Sequence, residues 1–123
     1  MTFDRVALEA YSTSIQNLAQ TLLNNMGKAL GIDEMEMKEL FNDGMQSMRM
    51  NYYPPCHEPN KVLGIAPHSD AAALTILLQL NDTQGLQVRK DGNWIPVIPL
   101  KNAFVVNVGD SMEVELKPLS LTS

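Results

Sequence analysis

The chain has 123 residues, with nine Lys and Arg against 14 Asp and Glu, a formal net charge of −5 and 45% hydrophobic residues. At roughly 100–200 residues per domain, this length excludes a separate cofactor-binding domain beside a catalytic one. The basic residues are scattered from Arg5 to Lys117. Because nucleic-acid binding requires clustered basic side chains, we expect a small molecule or a protein as partner, and no nucleic acid.

The sequence also argues against a membrane span and a secretory signal. The longest apolar run, 71–80, is interrupted by Thr75 and Gln79, whereas a spanning helix needs about 18 apolar residues. The N-terminus lacks a basic segment followed by an apolar one. Cys56 is the single cysteine and has no partner for an internal disulfide. We therefore expect a cytoplasmic protein without a membrane partner.

The first fifty residues contain no proline, and all seven prolines follow residue 53. Helices are therefore expected first and strands afterwards. Apolar residues recur at steps of three and four, as on one face of an amphipathic helix, at Leu8, Tyr11, Ile15, Leu18 and Leu22. Gly27 or Gly31 is expected to end this helix.

A second helix of about three turns is predicted after it. Asp33 and Glu36 have the spacing of a capping box, and Gly44 is placed for a left-handed C-cap. Six of the eight methionines lie between Met26 and Met50. They are consistent with an adaptable binding groove, but filling of the core is the favoured interpretation.

From residue 46 onward the pattern changes to short apolar or β-branched runs. These runs predict seven strands: Met48–Tyr52, Val62–Ala66, Leu74–Leu80, Leu86–Arg89, Trp94–Val97, Phe104–Val108 and Met112–Leu116. Asp91 and Gly92 predict a tight hairpin turn, and Gly109 and Asp110 another turn. Seven strands are typical of a jelly roll, so the fold class is α+β and mainly β.

His68, Ser69 and Asp70 interrupt an otherwise core-forming stretch. In an extended backbone residues i and i+2 project to the same side, so His68 and Asp70 face one space. An imidazole and a carboxylate there can bind one divalent ion. Non-haem iron(II) oxygenases take one His and the carboxylate of their facial triad from such a pair. Alone the tripeptide is weak evidence, because a His paired with an Asp at a strand end is a common structural arrangement.

The surrounding motifs make the pattern specific. The chain from about Gln46 to Val114 resembles the catalytic half of the plant-type iron(II)/2-oxoglutarate-dependent dioxygenases, in the senescence-related and norcoclaurine-synthase-like branch. The segments that support the resemblance are Arg49–Cys56, Pro67–Asp70, Leu74–Gln79, Gly85–Val88, Asp91–Val97 and Asn107–Asp110. The resemblance implies an incomplete double-stranded β-helix, or jelly roll, over residues 46–123, preceded by a helical segment over residues 1–45.

The resemblance also implies a site. His68 and Asp70 are expected to be metal ligands for Fe(II), and Asn51 and Tyr53 to hold the co-substrate 2-oxoglutarate. Their neutral donors suit an oxyanion, although without the resemblance Asn51 is better explained as a turn residue and Tyr53 as a sheet aromatic. Arg49 shares their face and either contacts substrate or is a solvated strand-end residue. Ascorbate is a further expected cofactor, and no side chain is assigned as a catalytic acid, base or nucleophile.

Two expected parts of the family pattern are missing. The family has a second metal-binding His and an Arg-x-Ser pair beyond the Gly-Asp turn, and the chain from Ser111 to Ser123 contains neither. The chain is therefore expected to be C-terminally truncated relative to the family. The third ligand is left open, between His57, a carboxylate such as Glu113 or Glu115, another chain, or no ligand at all. For His57 itself an exposed loop position is favoured.

Two functions of the chain are consistent with these sequence features. The first is oxidation of a small organic metabolite of plant secondary metabolism with O2 and 2-oxoglutarate, by hydroxylation, O-demethylation or desaturation. The second is a truncated, non-catalytic domain with weak metal or partner binding, which the missing residues favour for the chain as written. Substrate and oligomeric state are not determined by the sequence.

Overall fold

Two helices form the N-terminal part of the chain. The computed structural model describes residues 4–41 and 44–114. Helix α1 spans Arg5–Leu30 and helix α2 spans Glu34–Phe41. The Asp4 carboxylate begins α1 by accepting hydrogen bonds from the N–H groups of Val6 and Ala7, which satisfies two donors that have no partner within the helix. Within the described residues, neither helix has an apolar stretch long enough to cross a bilayer.

Gly31 ends α1, which confirms one of the two predicted positions. It adopts the left-handed conformation, with φ of 71°, and its N–H donates to the carbonyl of Lys28 at 3.2 Å. Gly27 lies inside the helix and has a different role. A Cβ on Gly27 would lie 2.5 Å from Cγ of Met37 in α2, so the missing side chain lets the two helices pack closely.

Helix α2 covers eight residues of the predicted three turns, and residues 42 and 43 lie outside the described part. The Asp33 carboxylate caps it by accepting from the N–H of Met35 at 2.8 Å. Lys38 pairs with Glu34 one turn earlier at 2.8 Å, and this hydrogen bond and charge lower the pKa of the Glu34 carboxyl. Gly44 donates its N–H to the carbonyl of Phe41 at 3.2 Å, but its φ is not positive, so the left-handed C-cap predicted at this residue is wrong.

The described residues form four strands in two antiparallel pairs. These are β1, Leu74–Leu78; β2, Gln87–Lys90; β3, Asn93–Pro96; and β4, Phe104–Val108. Strand β1 pairs with β4, with Leu74 opposite Val108, and β2 pairs with β3. The predicted hairpin between β2 and β3 is confirmed. Positive φ angles of 49° at Asp91 and 81° at Gly92 are typical of a type I′ turn.

Three predicted strands are wrong over the described residues. Met48–Tyr52 and Val62–Ala66 pair with no other strand there, and residues 112–114 are helical. An apolar run becomes a strand only when a neighbouring backbone completes its ladder of hydrogen bonds, which periodicity does not supply. At residue 113 the N–H donates instead to the carbonyl of Gly109 at 3.2 Å, so the chain turns into a helix. Residues 115 and 116 lie outside the described part.

The buried core lies where the helices meet the start of β1. Its buried hydrophobic residues in the described chain are Leu23, Ile32, Met37 and Met112. Met26 packs against this core, so core filling is correct for Met26 and Met37. It is wrong for the other methionines of the cluster, whose side chains are between 46% and 95% exposed, namely Met35, Met45, Met48 and Met50. Met45, Met48 and Met50 lie outside the helices, where helical spacing does not apply, whereas Met35 lies on an exposed position of α2.

Gly109 joins the end of β4 to the segment that precedes β1. Its N–H donates to the carbonyl of Ala73 at 2.9 Å, which extends the β1–β4 ladder by one pair. A Cβ on Gly109 would collide with the carbonyl of Ala72 and lie 2.7 Å from the carbonyl oxygen of Asp70. Both obstacles are backbone atoms, so they cannot move aside as a flexible side chain would. Glycine is therefore required at this crossing.

We predict that Gly109→Ala lowers the free energy of unfolding by ~1–3 kcal/mol, the range for overpacking a filled site. The measurement is thermal or urea unfolding followed by circular dichroism. Gly85→Ala is the matched control, because a Cβ at Gly85 meets no atom within 4 Å. Equal stability of the two variants would contradict the close approach at Gly109.

Candidate metal and co-substrate site

The ring of His68 is held by the backbone two residues before it. Its Nδ1 lies 2.9 Å from the carbonyl oxygen of Ala66. A carbonyl oxygen only accepts hydrogen bonds, so Nδ1 carries the proton and donates. In the neutral ring Nε2 then keeps its lone pair. A hydrogen bond from the other ring nitrogen to a carbonyl is the usual way in which proteins orient a histidine that binds a metal.

Asp70 brings its carboxylate to the free nitrogen of that ring. Nε2 of His68 and Oδ1 of Asp70 are 3.5 Å apart, and the two side chains are 50% and 25% exposed. With Nδ1 as the donor, two lone-pair atoms face each other across this gap. Such an arrangement is favourable when a proton on Nε2 or a cation between the two atoms joins them.

The donor set fits a divalent transition metal. Imidazole nitrogen and carboxylate oxygen bind zinc at about 2.0–2.2 Å, and ions of similar size accept the same donors. Two such distances exceed the 3.5 Å separation of Nε2 and Oδ1, so both atoms are able to contact one ion. Both side chains also reach the surface, which leaves room for further ligands. The structure thus brings together the two residues that the sequence predicts as ligands.

No third ligand joins the pair within residues 4–41 and 44–114. No group of three His, Cys, Asp or Glu side chains there is arranged to hold a metal ion. Of the residues considered from sequence, His57 and Glu113 are therefore not part of a three-ligand cluster with His68 and Asp70. Glu115 lies outside the described residues. The pair supplies part of a coordination shell.

Tyr53 packs against the segment that leads to His68. A Cβ on Gly64 would lie 3.3 Å from the Tyr53 ring, so the glycine allows the ring to approach this backbone. The Tyr53 side chain is 58% exposed and that of Tyr52 84%. Asn51 is exposed as well. No hydrogen bond in the described chain links Asn51 or Tyr53 to the His68–Asp70 pair, and their role toward the co-substrate stays a prediction.

The turn after β4 fixes the backbone beneath the pair. The N–H of Asp110 donates to the carbonyl of Asp70 at 2.7 Å, and the Ser111 hydroxyl donates to the carbonyl of Ala71. Sequence reasoning assigned Asp110 to a turn and gave no role to Ser111. The Gly-Asp turn signal was visible in the sequence, but its partner is forty residues away and no local pattern identifies it.

Comparisons with known proteins place the chain in a family. The family model of the 2OG-Fe(II) oxygenase superfamily matches residues 44–116. The chain is 53% identical to Protein SRG1 of Arabidopsis thaliana, covering 89% of this chain and 31% of that protein. It is 52% identical to thebaine 6-O-demethylase of Papaver somniferum over the same shares of the two chains. The chain thus spans about a third of the length of these relatives.

A solved structure is similar in fold. The crystal structure of JOX2 in complex with 2OG, Fe and JA matches 89% of this chain and 33% of its own, with a TM-score of 0.78 and 35% sequence identity. The family description and this complex agree on Fe(II) and 2-oxoglutarate as cofactor and co-substrate of the family. The match also supports the predicted fold class, a partial jelly roll preceded by helices.

The Ala66 contact predicts which nitrogen of His68 is protonated. At alkaline pH, where imidazole rings are neutral, we expect His68 to be the Nδ1–H tautomer with an unprotonated Nε2. Long-range ¹H–¹⁵N NMR of the two histidine rings measures this directly. His57→Ala assigns the two signals, since the chain has two histidines. A protonated Nε2 in neutral His68 would contradict the hydrogen bond to Ala66.

Proposed function

Because the chain belongs to the 2OG-Fe(II) oxygenase superfamily, we propose that it contributes His68 and Asp70 to an Fe(II) site that oxidises a small organic molecule with O2 and 2-oxoglutarate. The single observation that supports this most directly is the 3.5 Å approach of Nε2 to Oδ1 in a ring whose other nitrogen donates to a carbonyl. Such a pair is incomplete without a proton or a cation.

The two side chains have distinct roles in this proposal. His68 offers a neutral nitrogen that the Ala66 carbonyl keeps directed outward, and Asp70 offers a negative charge that offsets part of the charge of the ion. Ferrous iron supplies the activation of dioxygen, which side chains do not perform. The keto acid is oxidised to succinate and carbon dioxide, and the organic substrate is hydroxylated, O-demethylated or desaturated.

We extend the proposal to the co-substrate and the substrate. Asn51 and Tyr53 donate hydrogen bonds to 2-oxoglutarate, and the packing of the Tyr53 ring on Gly64 supports a fixed position for its hydroxyl. Arg49, which is exposed, contacts the substrate. Thebaine 6-O-demethylase and an oxoglutarate-dependent flavonoid 7-O-demethylase of Ocimum basilicum are similar proteins, which supports a small plant metabolite as the substrate class.

The remaining parts of the proposal concern organisation and location. We propose a helical segment within residues 1–45 and a partial jelly roll, which contains the site, within residues 46–123. The exposed Cys56 thiol is compatible with a reducing compartment, and we propose the cytoplasm. There ascorbate would keep the iron ferrous.

A second candidate is a domain that binds metal weakly without turnover. The observation that favours it is the lack of a third ligand beside His68 and Asp70 in the described chain. The names of the matched relatives, which include demethylases and oxidases, support the oxygenase instead. Binding and turnover are separate measurements, so the two candidates are distinguishable.

We predict that anaerobic Fe(II) and 2-oxoglutarate together give a visible charge-transfer band with the unmodified chain. His68→Ala and Asp70→Ala should each weaken Fe(II) binding by more than the ~10–100-fold that loss of an outer-shell partner costs. His57→Ala is the matched control, because His57 is an exposed loop histidine, and should bind as the unmodified chain does. Equal binding by His68→Ala would refute the ligand assignment, and binding without substrate oxidation would favour the second candidate.

Tyr53→Phe tests the co-substrate role. It removes one hydroxyl and keeps the ring on Gly64. A hydrogen bond to a charged group contributes about 1.5–3 kcal/mol, so the Kd for 2-oxoglutarate should rise about tenfold or more while Fe(II) binding is unchanged. Isothermal titration of the Fe(II)-loaded protein measures this. Tyr52→Phe, a neighbour that is 84% exposed, is the control, and an equal effect of both variants would contradict the assignment to Tyr53.

A further inference from the structure

We propose that Ser69 and Asp110 form a clamp that positions the His68–Asp70 pair for metal binding. The inference rests on the proposed function, because it assigns a role toward the same metal. Ser69 lies between the two proposed ligands in sequence, and its hydroxyl donates to Oδ2 of Asp110 at 2.7 Å. Neither Ser69 nor Asp110 is a ligand in this proposal. Both are positioning residues that act through the segment bearing the ligands.

The Ser69–Asp110 contact lies on the side of the 68–70 segment opposite to the His68 and Asp70 side chains. The side chains of His68 and Asp70 approach each other, while that of Ser69 reaches a residue 41 positions away. This is the alternation expected of an extended backbone, in which neighbouring side chains point to opposite sides. Asp110 is therefore placed behind the ligands. In agreement, Asp110 does not complete a three-ligand group with them in the described chain.

Asp110 holds the segment at two consecutive residues. Its carboxylate accepts from the Ser69 hydroxyl at 2.7 Å, and its own N–H donates to the carbonyl of Asp70, also at 2.7 Å. One contact alone would let the segment rotate about it. Two contacts to adjacent residues oppose that rotation, and the rotation determines whether the His68 and Asp70 side chains converge.

The clamp is itself anchored in the core. Residues 110–114 are helical, and Met112 on this turn is completely buried in a cluster with Leu23 of α1 and Met37 of α2. The position of Asp110 is thus fixed by the helices. Through Asp110, the ligand pair is held relative to the helical core rather than by its own loop, which has half-exposed side chains.

The contact joins two exposed residues and involves an ionisable acceptor. A serine hydroxyl that donates to a carboxylate makes a charge-assisted hydrogen bond, which is stronger than one between neutral groups. Outer-shell partners that orient metal ligands typically change metal affinity 10–100-fold when they are removed. Because Ser69 acts on the backbone rather than on a ligand atom, we expect the lower end of this range.

The test is a titration of the full chain with Co(II), a redox-stable probe for the ferrous site, monitored by calorimetry. Ser69→Ala should raise the Kd about tenfold. Ser69→Thr, which keeps a hydroxyl, should restore most of the affinity, and Asp110→Asn, which keeps an oxygen acceptor, should lose less than Ser69→Ala. Ser47→Ala is the matched control, because Ser47 is exposed and its hydroxyl makes no hydrogen bond in the described chain. Its Kd should not change.

Thermal unfolding without metal separates positioning from simple stabilisation. A purely structural role lowers the melting temperature of Ser69→Ala and leaves the Kd of the folded protein unchanged, which would overturn the proposal. Ser69→Ala and Asp110→Ala each remove the same hydrogen bond. The double variant Ser69→Ala/Asp110→Ala should therefore bind Co(II) no more weakly than the weaker-binding of these two single variants. Losses that add would also overturn it.

The outcomes distinguish this inference from the proposed function. If the unmodified chain does not bind Co(II), the proposed metal site fails and the clamp fails with it. If the unmodified chain binds and Ser69→Ala binds equally well, the clamp alone is refuted. Weaker binding by Ser69→Ala and recovery by Ser69→Thr, with Ser47→Ala unchanged, support the clamp.

Discussion

The close crossing of two backbone segments, 69–73 and 109–111, is the constraint on which the candidate site depends. Gly109 makes the crossing sterically feasible, because any Cβ there would meet the carbonyl of Ala72. Once the segments touch, backbone and hydroxyl groups of the turn satisfy the carbonyls of Asp70, Ala71 and Ala73. The Ala73 carbonyl continues the β1–β4 ladder by one pair, and the carbonyls of Asp70 and Ala71, which lie before it, find their partners in the turn.

The same crossing links the helices to the site. Met112 follows the turn and is buried in a cluster with residues of α1 and α2, so the turn connects the helical core to the His68–Asp70 pair. This arrangement is useful because the described chain has a small core, and the strands keep partly exposed apolar side chains such as Phe104, Val106 and Val108. Local hydrogen bonds therefore fix the site more than bulk burial does. The proton on Nδ1 of His68 decides the chemistry of the His68–Asp70 pair, because it leaves Nε2 and Oδ1 facing each other as two acceptors.

The relation to the matched proteins is consistent with a site of this kind. The chain spans about a third of SRG1 and of thebaine 6-O-demethylase, and within that third it has the His-x-Asp pair, the strand after it and the Gly-Asp turn. These elements contact one another directly in the fold. The two proposed ligands and both sides of the 69–73 and 109–111 crossing therefore lie within the part of these relatives that the chain spans.

Local sequence patterns predicted the parts of the molecule that local interactions form. The cap at Gly31, the type I′ turn at Asp91 and Gly92, and the common side of His68 and Asp70 all arise within a few residues. The strand predicted at Met48–Tyr52 failed, because a strand requires a partner backbone that its own residues do not specify. Asn51 and Tyr53 stay predictions as co-substrate residues, since their role depends on a ligand and not on a contact within the chain.

The sequence alone determined which donors are present, an imidazole and a carboxylate two residues apart, because that spacing is a property of any extended chain. Only the folded structure decided which nitrogen of His68 is protonated and which residues hold the segment that bears the two donors. The proton on Nδ1 follows from the position of the Ala66 carbonyl, which depends on the backbone conformation of residues 66–68. The partner of Ser69 is Asp110, 41 residues further along. Contacts across that separation depend on how β1, β4 and the buried Met112 pack together, and packing is a property of the folded chain rather than of any segment in it.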